Sequence, residues 1–256
     1  MLERCGVVMS DEQVYLLEAR LTPVARAHAY RDVHTYVDAA CAPGAARPLS
    51  LALIDAMTTH ETFFFRDPAF WKATEEVIVP RITSGLSAFR PIRVWCAASS
   101  TGQEPYTLAM LFAERFPALL DRLEITASDV SELSVKQGAS GLYSQLEVNR
   151  GLGAARLVRH FEQAEGGAFR VVERLRRCIT WQPRNLLDPV RRGEAYELVM
   201  CRNVLIYFGP EVRDRVVADL YSALTPTGCL SVGCTETISG TRLTAGWYAK
   251  EERLNK

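Results

Sequence analysis

This chain of 256 residues has no long hydrophobic run. The longest, such as Val204-Leu205-Ile206-Tyr207-Phe208 and Val7-Val8-Met9, are far too short to span a bilayer, which takes about 20 residues. Glu3, Arg4, Asp11 and Glu12 interrupt the start, so no signal peptide is expected. No net charge is present either: 30 Lys and Arg balance 30 Asp and Glu. C-x-x-C pairs are missing, and the cysteine count of seven is odd. A disulfide framework is thereby disfavoured, and a reducing cytoplasm is the expected setting. Cys96, Cys201, Cys229 and Cys234 lie in strand-like apolar segments and are expected as buried thiols. Cys229 and Cys234 have no matching His or second Cys pair nearby, so no metal site is expected. Repeats and low-complexity tracts are absent. What remains is 48% hydrophobic and 23% charged, the composition of a soluble globular protein.

The most informative segment runs from Val94 to Tyr106. Ile92, Val94 and Trp95 give it a strand-like start. Every residue from Ala97 to Gly102 is small, and Pro105 suits the first turn of a helix carried onward by Tyr106, Leu108, Leu111 and Phe112. Small residues let a ligand approach the backbone, and unpaired N–H groups at the helix start can bind it. The loop lacks the three glycines of a dinucleotide fingerprint and the Lys of a phosphate-binding loop. S-adenosylmethionine needs neither, because it carries no phosphate. Glu104 is badly placed for a phosphate but well placed for that cofactor's ammonium group.

Strands and helices alternate from about residue 90, which predicts a mostly parallel sheet with helices on both faces. The candidate strands are Ile92 to Cys96, Leu123 to Ser128, Cys178 to Gln182, Tyr196 to Cys201 and Cys229 to Cys234. Residues before about 58 look helical. Asp11 caps a first helix bearing Val14, Leu17 and Leu21, a second runs through Ala25 to Ala40, and a third from Leu49 to Met57 follows a break. Asp67-Pro68 reads as the cap and first turn of a connecting helix. Asp129 ends the second strand, where an acid can bind a ribose diol or cap the next helix. Asn185 and Leu186 suit the edge and face of an adenine, or an ordinary turn. Arg202 and Asn203 follow a buried strand where ligands gather in doubly wound sheets, although Arg202 also suits a structural ion pair. The segment Thr58 to Asp67 interleaves Phe63, Phe64 and Phe65 with His60, Thr62 and Arg66. It is either a wedge between domains or a face of the cofactor cleft.

Five motifs occur in order: T-x-x-x-T-x-F-F-R at Thr58 to Arg66, A-S-S-T-G-x-E-P-Y at Ala98 to Tyr106, A-S-D at Ala127 to Asp129, N-L-L at Asn185 to Leu187, and C-R-N-V-L-I-Y-F at Cys201 to Phe208. In this the chain resembles the CheR-type chemotaxis receptor methyltransferases, S-adenosylmethionine-dependent protein-glutamate O-methyltransferases, from about Leu49 to Ala249. The resemblance implies an α/β fold: a Rossmann-like doubly wound methyltransferase sheet with a small all-helical N-terminal domain and an inserted small antiparallel β-subdomain. The divisions it implies are residues 1–58 for the helical domain, 59–90 for a linker and connecting helix, and 91–256 for the methyltransferase domain, with the insertion at about 138–177. It further implies that His60, Thr62, Arg66, Ala98, Glu104, Asp129, Asn185, Leu186, Cys201, Arg202 and Asn203 bind the cofactor. Arg66 and Tyr207 match the positions nearest the methyl group. His60 stands where many members have Asn, and Gln103 where Glu is common.

The implied substrate is a glutamate side chain on a cytoplasmic chemotaxis receptor. Other readings are a methyltransferase acting on nucleic acid or a small molecule, and a non-catalytic cofactor-sensing module. Between Arg150 and Arg192 there are ten Arg, no Lys and four acids. That excess can steer the chain onto an acidic receptor helix bundle or onto RNA. Stacking aromatics are sparse there, only Phe161, Phe169 and Trp181, which favours the receptor over nucleic acid. Some family members dock a tethering receptor peptide on the β-subdomain; the matching stretch here, Phe161 to Phe169, is shorter, so charge is expected to dominate. A monomer with no membrane insertion is expected.

Overall fold

In a computed structural model, the structure describes residues 14–250 apart from positions 192 and 245. The expected cap Asp11 and the last arginine of the basic segment, Arg192, lie outside the described residues. The chain begins with three helices, α1 (Val14–Ala27), α2 (Val33–Cys41) and α3 (Arg47–Met57). Leu21, Ala25, Tyr36, Ala40, Leu53 and Met57 bury against one another as their shared core. The single helix expected over Ala25 to Ala40 is in fact two. Ala29 turns into the left-handed region at φ +60°, and the Asp32 carboxylate accepts the Thr35 N–H at 2.8 Å to restart the chain as α2.

The connecting rod follows as α4 (Pro68–Ala73), a wider π turn over Thr74–Ile78, and α5 (Val79–Thr83). Asp67 does not cap it. Its backbone is left-handed at φ +62°, its side chain makes no cap bond, and its carboxylate turns to the buried guanidinium of Arg202 instead. A charged partner outbids a backbone N–H at that position.

The large sheet begins with β1 (Ile92–Ala97), followed by α6 (Gln103–Arg115), β2 (Leu123–Asp129) and α7 (Glu132–Ser140). An insertion then folds as β3 (Leu142–Tyr143), α8 (Gln145–Asn149), α9 (Ala154–His160), β4 (Phe161–Gln163), β5 (Phe169–Val171) and α10 (Glu173–Arg176). Its strands pair antiparallel in the order β3-β5-β4. The chain returns through β6 (Ile179–Pro183), β7 (Tyr196–Met200), α11 (Pro210–Ser222) and β8 (Leu224–Ser231). Two short strands, β9 (Thr241–Thr244) and β10 (Trp247–Ala249), close one edge.

The order across the large sheet is β6-β2-β1-β7-β8-β10-β9. The first five run parallel, and β10 and β9 join antiparallel. This is the expected α/β doubly wound arrangement. All five residues of β7 are buried, as a strand covered on both faces requires. The direction of winding reverses between β1 and β7, and ligands of such sheets bind outside the carboxyl ends at that point.

Two further details differ from what the sequence predicts. The last parallel strand starts at Leu224 and stops at Ser231, so Cys234 lies beyond it and is exposed, whereas Cys96, Cys201 and Cys229 are buried. The closing hairpin carried no sequence expectation. It holds because Trp247 is fully buried, stacks on Phe70 at 5.1 Å and donates from Nε1 to Thr74 Oγ1 at 3.1 Å. Among the described residues, no helix is long and apolar enough to cross a membrane.

Candidate active site

The carboxyl ends of β1, β2 and β7 open onto a cleft of about 380 Å³, within the range that takes small molecules. One wall is the small-residue loop after β1. Ala98 and Ser100 both adopt positive φ, +59° and +50°. The loop is held by its own backbone, with Ser99 N–H donating to Ser128 O at 2.8 Å and Ser100 N–H to Asp129 Oδ2 at 2.8 Å. Gly102 is required for a separate reason: at φ +98°, an added Cβ would stand 2.5 Å from the Trp181 ring.

Asp129 is buried at the end of β2, where its carboxylate also accepts the Ser131 N–H at 2.9 Å. Burial pushes its pKa up, and the two backbone N–H bonds oppose the shift. The cap of α7 is Ser131, not Asp129: its hydroxyl accepts Ser134 N–H at 3.0 Å. Asp129 therefore remains directed at the cleft.

Arg202 is the most deeply buried cation of the site, its side chain 1% exposed. Nη1 donates to Glu104 Oε2 at 2.7 Å and Nη2 to Asp67 Oδ2 at 2.5 Å, while the guanidinium lies 3.9 Å from the Phe70 ring. The ion-pair reading of Arg202 is thus realised, and it lines the cleft as well. It fixes Glu104 at the start of α6 by one carboxylate oxygen. Among the described residues Oε1 makes no hydrogen bond.

The segment carrying the phenylalanines takes the cleft role, and its buried Phe64 and Phe65 belong to the main core and not to that of the three helices. It lines the cleft through His60, Thr62, Phe63 and Arg66, and it is gripped from behind by the insertion. Phe64 is fully buried, edge-on to Tyr143 at 5.1 Å and to Phe161 at 5.6 Å. Arg150 pairs with Glu61 and sits 4.6 Å from the Phe63 ring. Arg156 lies 3.7 Å from the Phe65 ring and is held by both oxygens of Glu114 at 3.2 Å. His60 has both ring nitrogens engaged, by Ser134 Oγ at 2.9 Å and by Thr58 Oγ1 and Asp55 O at 3.1 and 3.2 Å. Arg66 donates to Glu61 O at 3.2 Å and projects between Phe65 and Asp67, each at positive φ.

Asn185, Leu186, Asn203 and Tyr207 also line the cleft, with Asn185 Oδ1 accepting Leu187 N–H at 3.0 Å. Cys201 alone of the expected residues does not line the cleft; it is fully buried behind it. Burial, with Glu236 and Glu104 nearby, raises its thiol pKa well above the ordinary value, so it is a neutral packing group. Asp67, Arg156 and Arg184 were not read as site residues. Asp67 carried a cap signal that hid its role. Arg184 is buried over the Trp95 ring at 4.2 Å and bonds Glu194 at 3.0 Å. Only its place directly before Asn185 hinted at the cleft.

The chemistry of the cleft fits S-adenosylmethionine. Two carboxylates, Glu104 and Asp129, face it, which suits a cationic amine and a diol and repels a phosphate. Buried polar atoms without a protein partner also gather here. Of nine such side-chain atoms among the described residues, five belong to residues lining the cleft: Trp71 Nε1, Ser99 Oγ, Ser100 Oγ, Arg184 Nη2 and Arg202 Nε. Each orphan costs about 1–3 kcal/mol unless a ligand or water meets it.

The CheR methyltransferase, SAM-binding domain family matches residues 60–250. A chemotaxis protein methyltransferase of Vibrio parahaemolyticus is 36% identical over 93% of this chain and 86% of its own. Chemotaxis protein methyltransferase 1 of Pseudomonas aeruginosa is 31% identical over 92% of this chain and 86% of its own. Among solved structures, the plantazolicin methyltransferase BpumL with SAH is 10% identical over 86% of this chain and 60% of its own, at a TM-score of 0.38, too slight a likeness to argue from. The chain belongs to the CheR methyltransferase family and is an S-adenosylmethionine-dependent methyltransferase of chemotaxis.

Proposed function

We propose that this enzyme methylates glutamate side chains of chemotaxis receptors, forming glutamate methyl esters. The observation that supports it most is the presence of Arg66 and Tyr207 in the cleft lining. Among the described residues, the Tyr207 hydroxyl makes no hydrogen bond and is available to an incoming group. No general base is needed, because a glutamate with pKa of about 4.3 is already ionised near neutral pH. When bound, the cofactor supplies a sulfonium methyl that is electrophilic without further activation. The protein's share is alignment and partial removal of water from the carboxylate. In this reading Glu104 receives the cofactor's ammonium group, Asp129 its ribose hydroxyls, and Asn185 and Leu186 the adenine. His60, Thr62, Ala98, Arg202 and Asn203 complete the wall, and Cys201 backs it. Arg66 positions groups around the methyl, and the Tyr207 hydroxyl steers the substrate oxygen.

Methylation would turn an anion into a neutral ester, a local electrostatic switch on a receptor helix. The acidic bundle is the partner that a basic surface favours, on the cytoplasmic side. The fold narrows which arginines serve. Arg150, Arg156, Arg176, Arg177 and Arg184 are already paired with acids of this chain. Arg159, Arg170 and Arg174 are exposed and make no ion pair among the described residues. Charge reversal at Arg174 should therefore slow association more than reversal at Arg177.

The test is methyl transfer from labelled cofactor into a panel of receptor cytoplasmic fragments, followed by alkaline release of methanol. Label released by base supports the ester. Label that stays bound as N-methyl, or label found on RNA or a small molecule instead, removes the glutamate reading.

A further inference from the structure

The loop that carries Arg202, Asn203 and Tyr207 has no regular structure of its own between Met200 and the short 3₁₀ turn Leu205–Tyr207. Asn203 sits at φ +60°. Something outside the loop must hold it there.

One side chain does so. Glu236 is buried, 7% exposed, in the turn after β8. Its Oε2 accepts Asn203 N–H at 2.8 Å and Gly233 N–H at 2.5 Å, and its Oε1 accepts Ile206 N–H at 3.3 Å. The turn itself is closed by Glu236 N–H donating to Gly233 O at 2.9 Å. Gly233 leaves room for this crossing. A Cβ there would stand 2.6 Å from Asn203 Nδ2 and 2.8 Å from Glu236 Oε2. Three backbone donors thus converge on one buried carboxyl group, two of them from the loop that presents Asn203 and Tyr207.

We infer that Glu236 is a positioning residue for methyl transfer: it sets the height and direction of Tyr207 in the cleft lining by pinning the backbone on either side of Val204-Leu205. It does not line the cleft. Ile206 N–H is one peptide before Tyr207, so losing that bond frees the 3₁₀ turn to rotate, and the Tyr207 hydroxyl moves with it. Asn203 is held by the other carboxylate oxygen, so losing the Ile206 bond alone moves the turn relative to the cofactor wall and not with it. This inference rests on the methyl-transfer role proposed for Tyr207, and it adds the device that aims it.

The experiment uses the full chain with Glu236→Gln, which keeps one acceptor and the volume, and Glu236→Ala as the harsher form. In Glu236→Gln the remaining carbonyl oxygen can keep Asn203 and Gly233 while the amide NH2 faces Ile206 N–H. Amide hydrogen exchange, read without any ligand, should therefore rise at least tenfold at Ile206 in Glu236→Gln and at all three amides in Glu236→Ala, with β1 and β7 unchanged. In receptor methylation, Glu236→Gln should lower kcat about tenfold while the Kd for S-adenosylhomocysteine changes less than about threefold. Combined with Tyr207→Phe, the loss should be far less than multiplicative, because both changes remove one hydroxyl from its place. Independent, multiplicative losses would overturn the inference, as would exchange unchanged at the three amides. A wild-type protein that methylates no receptor would sink the proposed substrate instead. The exchange result would still decide the pin.

Discussion

Replacing Arg202 should destabilise the fold and loosen the cofactor site together. The side chain is 1% exposed and bridges Glu104 at 2.7 Å and Asp67 at 2.5 Å. Two charge-assisted hydrogen bonds are worth about 1.5–3 kcal/mol each, a gross 3–6 kcal/mol or so. The Phe70 face adds about 1–2 kcal/mol in a desolvated site. Against this, removing a buried guanidinium relieves a desolvation cost of several kcal/mol. The abandoned acids also regain some water, since the side chains of Glu104 and Asp67 are 16% and 32% exposed. The net for Arg202→Ala is about 3 kcal/mol. At about 2–4 °C per kcal/mol for a chain of this size, calorimetry should show Tm lower by about 6–12 °C. Arg202→Lys should fall between, because one ammonium cannot bridge both acids or stack on Phe70. Glu104 would also lose its anchor, so S-adenosylhomocysteine should bind about tenfold more weakly, about 1.4 kcal/mol. If Arg202→Ala lies within about 0.5 kcal/mol of wild type, the range of ordinary surface changes, the bridge does not hold the site and the reasoning is wrong.

Asp129→Ala should weaken S-adenosylhomocysteine binding by about 1.5–3 kcal/mol for each ribose bond lost; calorimetric affinity equal to wild type removes that assignment. Because burial raises the Asp129 pKa, wild-type affinity should begin to fall on acidification above pH 3.8, the ordinary value, as the carboxylate is neutralised. Arg66→Ala should remain folded and nearly inactive, and Tyr207→Phe should lower turnover at saturating cofactor; full turnover in the latter would return Tyr207 to a packing role. His160 is fully buried, and burial holds its pKa below 6.5 despite the Glu114 carboxylate beside it. Its neutral form is the stable one, so its contribution is complete above pH 6.5 and is lost as pH falls through the lowered value; His160→Gln should flatten that acid limb in urea titrations.

Local signals carried much of the fold and gathered most of the site. The small residues of Ala97 to Gly102 do form the strand-to-helix turn beside the cleft, and the acid ending β2 does face it. What escaped the sequence is long-range pairing. Asp67 looked like a cap because Asp-Pro usually is one, and nothing local reveals a guanidinium 135 residues away. The arginine excess was counted along the chain, where charge is visible and geometry is not. Five of the nine described arginines turn out to be paired within the fold, two of them clamping the phenylalanine segment from the insertion. His60, which the resemblance places at the cofactor, does line the cleft, and what the sequence hides is that Ser134, Thr58 and Asp55 already meet its nitrogens. The closing hairpin was missed because Thr241–Thr244 and Trp247–Ala249 are too short to show a period.

The backbone around the cleft is more strained than the rest of the described residues, and the polar contacts explain why it persists. Of six described non-glycine residues at positive φ, five border the site: Phe65, Asp67, Ala98, Ser100 and Asn203. Such conformations cost on the order of 1–3 kcal/mol each and survive only where surroundings over-determine them. Here the surroundings can be named. Phe65 N–H donates to Thr107 Oγ1 at 3.1 Å, Asp67 is tied to Arg202, Ser100 to Asp129, and Asn203 to Glu236. Three of these four anchors are charged, and two of them, Arg202 and Asp129, line the cleft. Asp129 therefore has two tasks, holding the loop after β1 and meeting a ligand, and Arg202 likewise holds Asp67 while orienting Glu104. A substitution at either changes the shape of the cleft as well as its charge. An affinity lost in Asp129→Ala is thus not the energy of two ribose bonds alone, and only a cycle against a cofactor analogue lacking the ribose hydroxyls separates the direct contact from the loop it supports.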